Sequence, residues 1–379
     1  MMELQQKLET LFPVYLDFWK HICGMETPSY DRTALNLQAD YIEAFCKSRG
    51  FTVRRQKYVT AGDTLVIELC GDTDKSHVAL LAHMDTVHAA GAFGDKTVRE
   101  QNGILYGPGV FDCKGGIAVC LMAMESIYLS GLPHRPIKLI LNSDEEDGGF
   151  IGKNGVDFIH NEAIGACAAF NAEAGRTDSL TVGRKGIITA KIHVSGVAGH
   201  AGNSYFESAS AIREAAHKII SLESQSDEHI TYNCGIISGG KLANIVPDSC
   251  TITVDIRFQN ADQQLKATNT LAKITQTTYV EGCTSAYEID KVRPAMECTK
   301  QNLKLFKMVN ETAKKLGLDP LLPMERGGGS DSAYTVEIGI PTVCSMGTVG
   351  RFEHTVREEA YIHTLKDRAH LMAESILNL

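Results

Sequence analysis

The chain has 379 residues, of which 44% are hydrophobic and 22% are charged, and its formal net charge is -9. This composition is typical of a globular protein, and the length predicts two or three domains, of which we expect two. The sequence has no block of lysine or arginine that could follow a phosphate backbone, so we expect no nucleic-acid partner. It also lacks the roughly 18 consecutive apolar residues of a membrane span, so we expect no membrane association.

The amino terminus and the cysteines both favour a cytoplasmic location. The first residues, MMELQQKLETLFPVYLDFW, are amphipathic and mildly acidic, without the basic start and the apolar run of a signal peptide. The eleven cysteines are odd in number and form no Cys-x-x-Cys pair. We therefore expect reduced thiols in the core rather than disulfides.

Helical patterns and short apolar runs alternate through the first half of the chain. The helical patterns lie at 33–48 and 116–130, and the apolar runs lie at 65–70, 78–82, 137–141 and 166–170. Short apolar runs between turn residues are typical of strands covered on both faces. Their alternation with helices predicts an α/β domain with a mixed, mostly parallel sheet flanked by helices.

The pattern changes near Gly186, where GIITAKIHVSGV alternates as a half-exposed strand does. Helical patterns at 209–222 and 263–278 flank the strand-like CTITVDIRF, and these elements predict a small α+β domain inserted into the larger one. From about Lys300 the α/β pattern returns, with an apolar run at 341–345 and a final helix. We therefore assign 186–295 to the inserted domain, and 1–185 with 296–379 to the larger domain.

Residue types that bind metals follow nearly every predicted strand of the larger domain. They are His83 and Asp85 in LLAHMDTV, Asp112 in YGPGVFDCKGG, Asp144, Glu145 and Glu146 in IKLILNSDEEDG, Glu173 in ACAAFNAEAG, and His354 in GRFEHT. In open α/β sheets, ligands gather outside the carboxyl ends of the strands. We therefore expect these side chains to lie together.

Each of these residues also has an ordinary structural interpretation. A lone histidine after a strand is usually a hydrogen-bonded structural residue, and DEEDG by itself is typical of a solvated acidic turn. Glu173 could be a loop carboxylate, and Asp112 could cap the helix that begins near Gly116. Since all these interpretations would have to hold at once, we favour a shared metal centre.

Two histidines and several carboxylates suit zinc or a neighbouring divalent metal better than calcium. The set is too large for one tetrahedral ion, and it fits two ions that share a carboxylate and a water. His83 would then bind a metal, and Asp85, which shares a face with it on an extended chain, would orient its imidazole. Of Glu145 and Glu146, one would bind metal and the other would act as general base, but adjacency does not assign the two roles.

Eight motifs occur along nearly the whole chain in this order: HMDTV, GPGVFDCKGG, SDEEDGG, NAEAG, GVAGHAGN, ANIVPD, GGGSDS and EHT. In these motifs the chain resembles the co-catalytic zinc exopeptidases and deacylases, a group that includes carboxypeptidase G, aminoacylase, acetylornithine deacetylase, succinyl-diaminopimelate desuccinylase and peptidase T. The resemblance implies a zinc exopeptidase-like catalytic domain with an inserted ferredoxin-like domain that serves as lid and dimerisation domain.

The resemblance also implies a role for each candidate in the larger domain. Two divalent ions, Zn²⁺ with Co²⁺ or Mn²⁺ as alternatives, would share five ligands: Asp112 as the bridge, His83 and Glu173 in one site, and Glu146 and His354 in the other. Glu145 would be the general base, and Asp85 would orient a ligand. A cis peptide bond after Asp112 is implied as well.

In the inserted domain, His200 matches a histidine that reaches the active site of the other subunit in dimeric members, so we expect a homodimer through this domain. Asn244 and Arg257 match residues that hold the substrate carboxylate, a task that suits a guanidinium fork. Without the resemblance, Arg257 would be taken for a surface arginine. Backbone amides for the substrate would come from the glycine-rich loop, at Gly328, Gly329 and Ser330.

The sequence thus predicts a di-metal hydrolase that cleaves a peptide or N-acyl amide bond next to a free carboxylate and releases an amino acid, as carboxypeptidases and dipeptidases do. Glu173, in place of aspartate, favours the carboxypeptidase G and aminoacylase side. Thr355 departs from the commonest family pattern, so the side-chain preference stays open. The alternatives are a deacylase of the acetylornithine deacetylase type and a catalytically silent metal- or peptide-binding protein. A nucleotide-binding oxidoreductase is disfavoured, because no Gly-x-Gly-x-x-Gly follows a strand.

Overall fold

A computed structural model of the chain describes residues 2–149, 151 and 155–379. The helices are α1 (Met2–Gly24), α2 (Arg32–Ser48), α3 (Lys114–Ser130), α4 (Gly155–Ala163), α5 (Ala211–Glu223), α6 (Ala261–Gln276), α7 (Lys300–Lys315), α8 (Ser332–Glu337) and α9 (Thr364–Leu377). The strands are β1 (Thr52–Gln56), β2 (Thr64–Leu69), β3 (Val78–His83), β4 (Arg99–Gln101), β5 (Ile104–Tyr106), β6 (Ile137–Asn142), β7 (Ala168–Asn171), β8 (Ser179–Arg184), β9 (Gly186–Ser195), β10 (Gly199–His200), β11 (Thr231–Gly239), β12 (Ile245–Val246), β13 (Ser249–Phe258), β14 (Thr284–Arg293), β15 (Leu322–Arg326), β16 (Thr342–Val343), β17 (Gly350–Arg351) and β18 (Glu359–Tyr361).

The chain divides into two compact units. The larger unit comprises Met1–Val182, Cys298–Glu325 and Ser330–Leu379, and the smaller unit comprises Gly183–Glu297 and Arg326–Gly329. The sequence-based division instead assigns the segment 326–329 to the larger domain. This segment belongs to the smaller unit because Arg184 and Arg257 donate hydrogen bonds to its carbonyl oxygens.

A six-stranded sheet forms the centre of the larger unit, and its strands follow the order β1-β2-β6-β3-β7-β16. Strands β6, β3, β7 and β16 run parallel, whereas β1 and β2 are antiparallel to their neighbours. The predicted mixed, mostly parallel sheet is therefore confirmed. None of the described helices is long and apolar enough to cross a membrane.

Strand β3 explains why the central strands form continuous apolar runs in the sequence. All of its residues are buried. Leu80 belongs to the core cluster that contains residues of α1, α3 and α9, while Leu81 belongs to a second cluster with residues of α4 and α8. Since successive side chains of a strand point to opposite faces, a strand covered by helices on both faces is apolar at every position.

The smaller unit is an antiparallel sheet with two helices. Its four strands follow the order β11-β13-β9-β14, and neighbours are antiparallel throughout. Alternate residues of β9 and β13 are buried in one cluster with residues of α5 and α6. The chain order β9-α5-β11-β13-α6-β14 with this strand order is the ferredoxin-like arrangement predicted for the insertion.

Gly116 allows the start of α3 to lie against the chain that follows β7. A Cβ added at Gly116 would lie 1.9 Å from the carbonyl oxygen of Ala172, the residue before Glu173. We expect Gly116→Ala to lower the free energy of unfolding by about 1–3 kcal/mol, as overpacked cores do. Thermal unfolding followed by calorimetry measures this effect.

Gly24→Ala is the matched control, because a Cβ added at Gly24 meets no atom within 4 Å. We expect the control to unfold at or slightly above the wild-type temperature, because alanine favours the helix that ends at this position more than glycine does. Equal unfolding temperatures for the two variants would show that the approach of α3 to Ala172 is not tight.

Candidate metal centre

The carboxyl ends of three neighbouring strands lie at one edge of the large sheet. His83 is the last residue of β3 and is paired in register with Asn142, the last residue of β6. Glu145 and Glu146 follow this end of β6, and Glu173 follows β7, which is the other neighbour of β3. Parallel pairing therefore brings these side chains to a single edge, as predicted for ligands of an open α/β sheet.

Connections of a second sheet, in the order β17-β18-β5-β4, carry the two remaining candidate ligands. Asp112 lies between β5 and α3, and His354 lies in the connection between β17 and β18. The φ angle of His354 is 61°, in the left-handed region that residues other than glycine rarely adopt. Such backbone outliers concentrate at functional sites, where surrounding contacts hold them.

The structure brings the five predicted metal ligands together in two groups that share Asp112: His83, Asp112 and Glu173 in one, and Asp112, Glu146 and His354 in the other. Within each group the ligand atoms lie within 4.8 Å of one another. Nε2 of His83 is 3.5 Å from Oδ1 of Asp112, and Nε2 of His354 is 3.2 Å from Oδ2. The two oxygens of Asp112 thus face different histidines, as a carboxylate shared by two ions requires.

This donor set fits divalent metal ions. Among the described residues, the buried ligand atoms without a hydrogen-bond partner include Nε2 of His83, Oδ1 of Asp112 and Oε1 of Glu146. A buried polar atom without a partner is unfavourable, and metal ions held between these atoms would remove that penalty. Imidazole and carboxylate together suit zinc and neighbouring transition metals.

Asp85 is completely buried and contacts both sides of the centre. Nδ1 of His83 lies 3.0 Å from the backbone oxygen of Asp85 and 3.3 Å from Oδ1. The Asp85 carboxylate also accepts hydrogen bonds from the amides of Glu145 and Glu146, each 3.1 Å long, and from the hydroxyl of Ser29. Asp85 therefore orients the imidazole and also holds the turn that carries both glutamates.

Asp112 does not cap helix α3, although the sequence allowed that interpretation. Cys113, rather than Asp112, is the N-cap residue of α3, and no side-chain capping hydrogen bond forms. The peptide bond between Asp112 and Cys113 is cis, as the family resemblance implied. The carboxylate of Asp112 faces His83 and His354 instead of the helix.

Glu358 supports this turn, and the sequence did not identify it. Its buried carboxylate accepts hydrogen bonds from the amides of Gly109, Phe111 and Asp112, at 3.2, 2.9 and 3.0 Å, and it lies 2.8 Å from Nε2 of His88. Only the acidic character of EHTVREEAY could have pointed to it. The sequence does not tell which of several neighbouring glutamates would turn inward.

The acidic and imidazole side chains of the centre shift one another's pKa values. Contacts with Asp112 and Glu146 raise the pKa of His354 to about 11. Burial acts to raise the pKa of Asp112, but its contacts with His354 and His83 outweigh burial and hold the pKa well below its usual range. Burial and the charge of Asp112 raise the pKa of Glu146. In the absence of metal, protonated histidine therefore neutralises part of the carboxylate charge.

Two predicted residues of the smaller unit lie together on the short ribbon of β10 and β12. His200 pairs with Ile245, and the amide of Ala201 donates to the carbonyl oxygen of Asn244. Nδ1 of His200 accepts hydrogen bonds from the amides of Gly202 and Asn203, at 3.1 and 3.3 Å. A neutral His200 therefore carries its proton on Nε2, which is then a donor.

Arg257, the residue before the end of β13, already contacts other groups of the smaller unit. Its Nε and one terminal nitrogen contact the two carboxylate oxygens of Asp255, at 2.6 and 2.9 Å, and its other terminal nitrogen lies 3.4 Å from the carbonyl oxygen of Gly327. In the same glycine-rich loop, the carbonyl oxygens of Gly328 and Gly329 accept hydrogen bonds from Arg184.

Ser330, the last of the predicted loop residues, is buried in the larger unit. Its hydroxyl accepts a hydrogen bond from the amide of Ser332. The side chain of Ser330 therefore stabilises the turn into α8, and a role in substrate binding would fall to the backbone of this loop.

Comparisons with known proteins agree with the fold and show the family of the chain. A sequence model of the family described as Peptidase family M20/M25/M40 matches residues 79–378. Carboxypeptidase G2 of Pseudomonas sp. (strain RS-16) is 28% identical over 375 residues, which cover 97% of this chain and 89% of that protein. Acetylornithine deacetylase of Myxococcus xanthus is 30% identical over 241 residues, covering 58% of this chain and 60% of that protein.

Among solved structures, aminopeptidase PepT from Bacillus cereus ATCC 10987 superposes with a TM-score of 0.79 at 20% identity, covering 99% of this chain and 98% of that chain. An M20 family metallo-carboxypeptidase from Sulfolobus solfataricus superposes with a TM-score of 0.74 at 16% identity, covering 96% and 98%. The chain belongs to peptidase family M20/M25/M40, a family of metal-dependent peptidases. It is a hydrolase that acts on C–N bonds.

Glu358→Gln tests the support of the Asp112 turn. An amide in place of the carboxylate presents its NH₂ group to a backbone N–H, so the turn that carries Asp112 loses a contact. We expect the affinity for zinc to fall by about 10–100-fold, as when other supports of metal ligands are removed. Competition with a chromogenic chelator measures this affinity.

Glu359→Gln is the control, since the Glu359 carboxylate contacts Arg351 in the adjacent strand pair rather than the Asp112 turn. We expect this variant to bind zinc as the wild type does. Wild-type affinity in Glu358→Gln would remove Glu358 from the support of the centre.

The raised pKa of His354 leads to a prediction about protons. Its pKa of about 11 means that His354 holds a proton at neutral pH when no metal is bound. Since a metal ligand must be the neutral imidazole, binding must release that proton, and metal affinity must rise with pH. Calorimetric zinc titrations in two buffers of different ionisation enthalpy measure the number of protons released.

We expect His354→Gln to release fewer protons than the wild type. His193→Gln is the control, because His193 is an exposed residue of the smaller unit, and this variant should match the wild type. Heats that are identical in both buffers for the wild type would contradict the proton-release prediction.

Proposed function

We propose that the protein is a two-zinc hydrolase that cleaves a peptide or N-acyl amide bond next to a free carboxylate and releases an amino acid. The observation that carries this proposal is the pair of ligand groups that share Asp112. Groups so close together would hold two ions whose chemistry, when bound, is to activate water and to stabilise negative charge on oxygen. His83 and Glu173 would hold one ion, and Glu146 and His354 the other.

Glu145 is the proposed general base. Its side chain is buried, and its amide is held by Asp85 beside the ligand Glu146. In the proposed reaction Glu145 accepts a proton from the water that attacks the carbonyl carbon. It then gives this proton to the nitrogen of the leaving amine as the C–N bond breaks, so that the charges balance.

His200 is proposed to donate a hydrogen bond to the carbonyl oxygen of the scissile bond. The two backbone amides at Nδ1 support this role, because they leave the proton of the neutral ring on Nε2. A donor aimed at a developing oxyanion typically contributes about 10²–10³ in rate. The ring of His200 is exposed, as is needed for a residue that acts on a second copy of the chain.

The carboxylate of the released amino acid is proposed to bind Asn244 and Arg257, with backbone amides of Gly328, Gly329 and Ser330. Arg257 suits this task because its guanidinium group has more N–H donors than its contacts with Asp255 and Gly327 use. We propose a homodimer through the smaller unit, because the role of His200 requires a partner. A cytoplasmic location is supported by the eleven free cysteines.

A panel of dipeptides, tripeptides and N-acyl amino acids tests the proposed activity. We expect the zinc-loaded protein to release free amino acids from the carboxyl side of an amide bond, and mass spectrometry identifies these products. Glu145→Gln should lose about 10²–10⁴ of the rate at normal zinc content, because only the proton transfer is removed. A chelated sample is the second control.

If the protein released residues only from the amino end of the tripeptides, it would be an aminopeptidase and the carboxypeptidase proposal would be wrong. Substantial activity of Glu145→Gln would exclude Glu145 as the base. No release from any substrate by folded, zinc-loaded protein would contradict the proposed function as a whole.

Hybrid dimers test whether His200 acts across an interface. We expect His200→Ala and Glu145→Ala to be inactive alone, and a mixture to regain up to about a quarter of the wild-type activity after subunit exchange, because one site of a hybrid then has both groups. Native mass spectrometry verifies the exchange. Exchange without any recovery would place His200 outside the partner's site.

A further inference from the structure

A cavity of about 370 Å³ adjoins the candidate metal centre within the larger unit. Its wall is formed mainly by Pro28, Tyr30, Thr86, Val87, Ala89 and Glu146. Because Glu146 is also a member of one ligand group, a molecule in this cavity lies beside the metal centre. The volume is at the lower end of the range of ligand pockets, so it has room for one side chain or a short acyl group.

The cavity wall is attached to the segment that carries Asp85. The amide of Thr86 donates a 2.9 Å hydrogen bond to the carbonyl oxygen of Thr27, and Pro28 pairs with Thr86 in a parallel bridge. The hydroxyl of Ser29 donates a 2.6 Å hydrogen bond to Oδ2 of Asp85. The contacts that hold Asp85 therefore also hold the wall, so the cavity is a built part of the site.

The surface of the cavity is largely apolar. Pro28, Val87 and Ala89 contribute aliphatic carbon, and Tyr30 contributes an aromatic ring. The hydroxyl of Tyr30 donates a 2.6 Å hydrogen bond to Oδ1 of Asp147, which also lines the cavity. Since the hydroxyl hydrogen of Tyr30 is already donated to Asp147, the part of Tyr30 that can contact a ligand is its aromatic ring. Such a wall favours an alkyl or aromatic group.

The charges of the wall disfavour an acidic ligand. Its two charged residues in the described chain are Glu146 and Asp147, and no lysine, arginine or histidine of the described residues lines it. Asp112, Glu146 and Glu173 together would offset three of the four positive charges of two divalent ions, so the centre would attract an acidic ligand only weakly. A carboxylate that entered the cavity would lie beside Asp147 and would meet no basic side chain of the described wall, which is unfavourable compared with a neutral group.

We infer that this cavity receives the substituent on the acyl side of the scissile bond and that this substituent is neutral and apolar. The inference rests on the proposed function and narrows its substrates to amides of alkyl or aromatic acyl groups, including peptides with an apolar residue before the cleaved bond. Acyl groups that end in a carboxylate, such as succinyl, are excluded.

Matched substrates test the inference. We would first choose the amino acid that the protein releases fastest from the substrate panel. For the N-valeryl and N-succinyl derivatives of that amino acid we would then measure kcat/KM of the zinc-loaded protein. The two acyl groups are similar in length and differ in the terminal carboxylate. We expect the valeryl compound to be favoured by about 10-fold or more, because only the succinyl group meets like charges.

Two variants of the wall make the test specific. Val87→Lys supplies a counter-ion and should shift the ratio of the two kcat/KM values towards the succinyl compound. Ala89→Phe fills the cavity and should lower kcat/KM for benzoyl more than for acetyl substrates. Val87 and Ala89 are both exposed, so the fold tolerates these changes. Val59→Lys is the control, because Val59 is 90% exposed and outside the wall, and its ratio should equal that of the wild type.

The outcomes separate the inference from the proposed function. Hydrolysis of both compounds with equal kcat/KM, or with a preference for succinyl, would overturn the inference and leave the proposed function intact. The inference would also be overturned if the wild type preferred valeryl and neither Val87→Lys nor Val59→Lys changed this preference. The selectivity would then arise outside the cavity wall. Failure to hydrolyse any member would overturn the proposed function, and the inference with it.

Discussion

The carboxylate of Asp112 belongs to two groups of candidate ligands at once. Contacts from both sheets of the larger unit and from Glu358 fix its position. Its two oxygens lie opposite His83 and His354, which come from different sheets. The backbone that carries Asp112 is held by Glu358, a buried acid that accepts three amide hydrogens. A shared ligand requires this rigidity, because a shift that improved one group would weaken the other.

The centre concentrates several largely buried carboxylates, a condition that is unfavourable for folding and useful for binding. The low pKa of Asp112 and the raised pKa of His354 both follow from pairing between acids and imidazoles in the metal-free state. Metal ions bound there would replace those protons and satisfy the buried atoms that lack partners. Stability of the region and metal affinity are therefore linked, as is common at sites that depart from ordinary core packing.

Asp85 connects three parts of the site in one contact network. It orients His83, holds the turn of Glu145 and Glu146, and through Ser29 it holds the wall of the neighbouring cavity. A proposed base, two ligands and a proposed substrate wall thus share one buried anchor. In the smaller unit, backbone amides fix the tautomer of a neutral His200 in a comparable way.

The sequence by itself determined the fold class and the residue types at the strand ends, because strands buried on both faces must be apolar and their ligands follow where they end. The two edge strands of the smaller sheet, β11 and β14, were not predicted, since their largely exposed residues form no long apolar run. Tertiary structure alone decided that Asp112 faces both groups instead of capping α3, that Glu358 turns inward, and that Arg257 is already paired. These features depend on contacts between segments that are distant in the chain. The local sequence pattern does not tell which of several similar side chains will form such a contact.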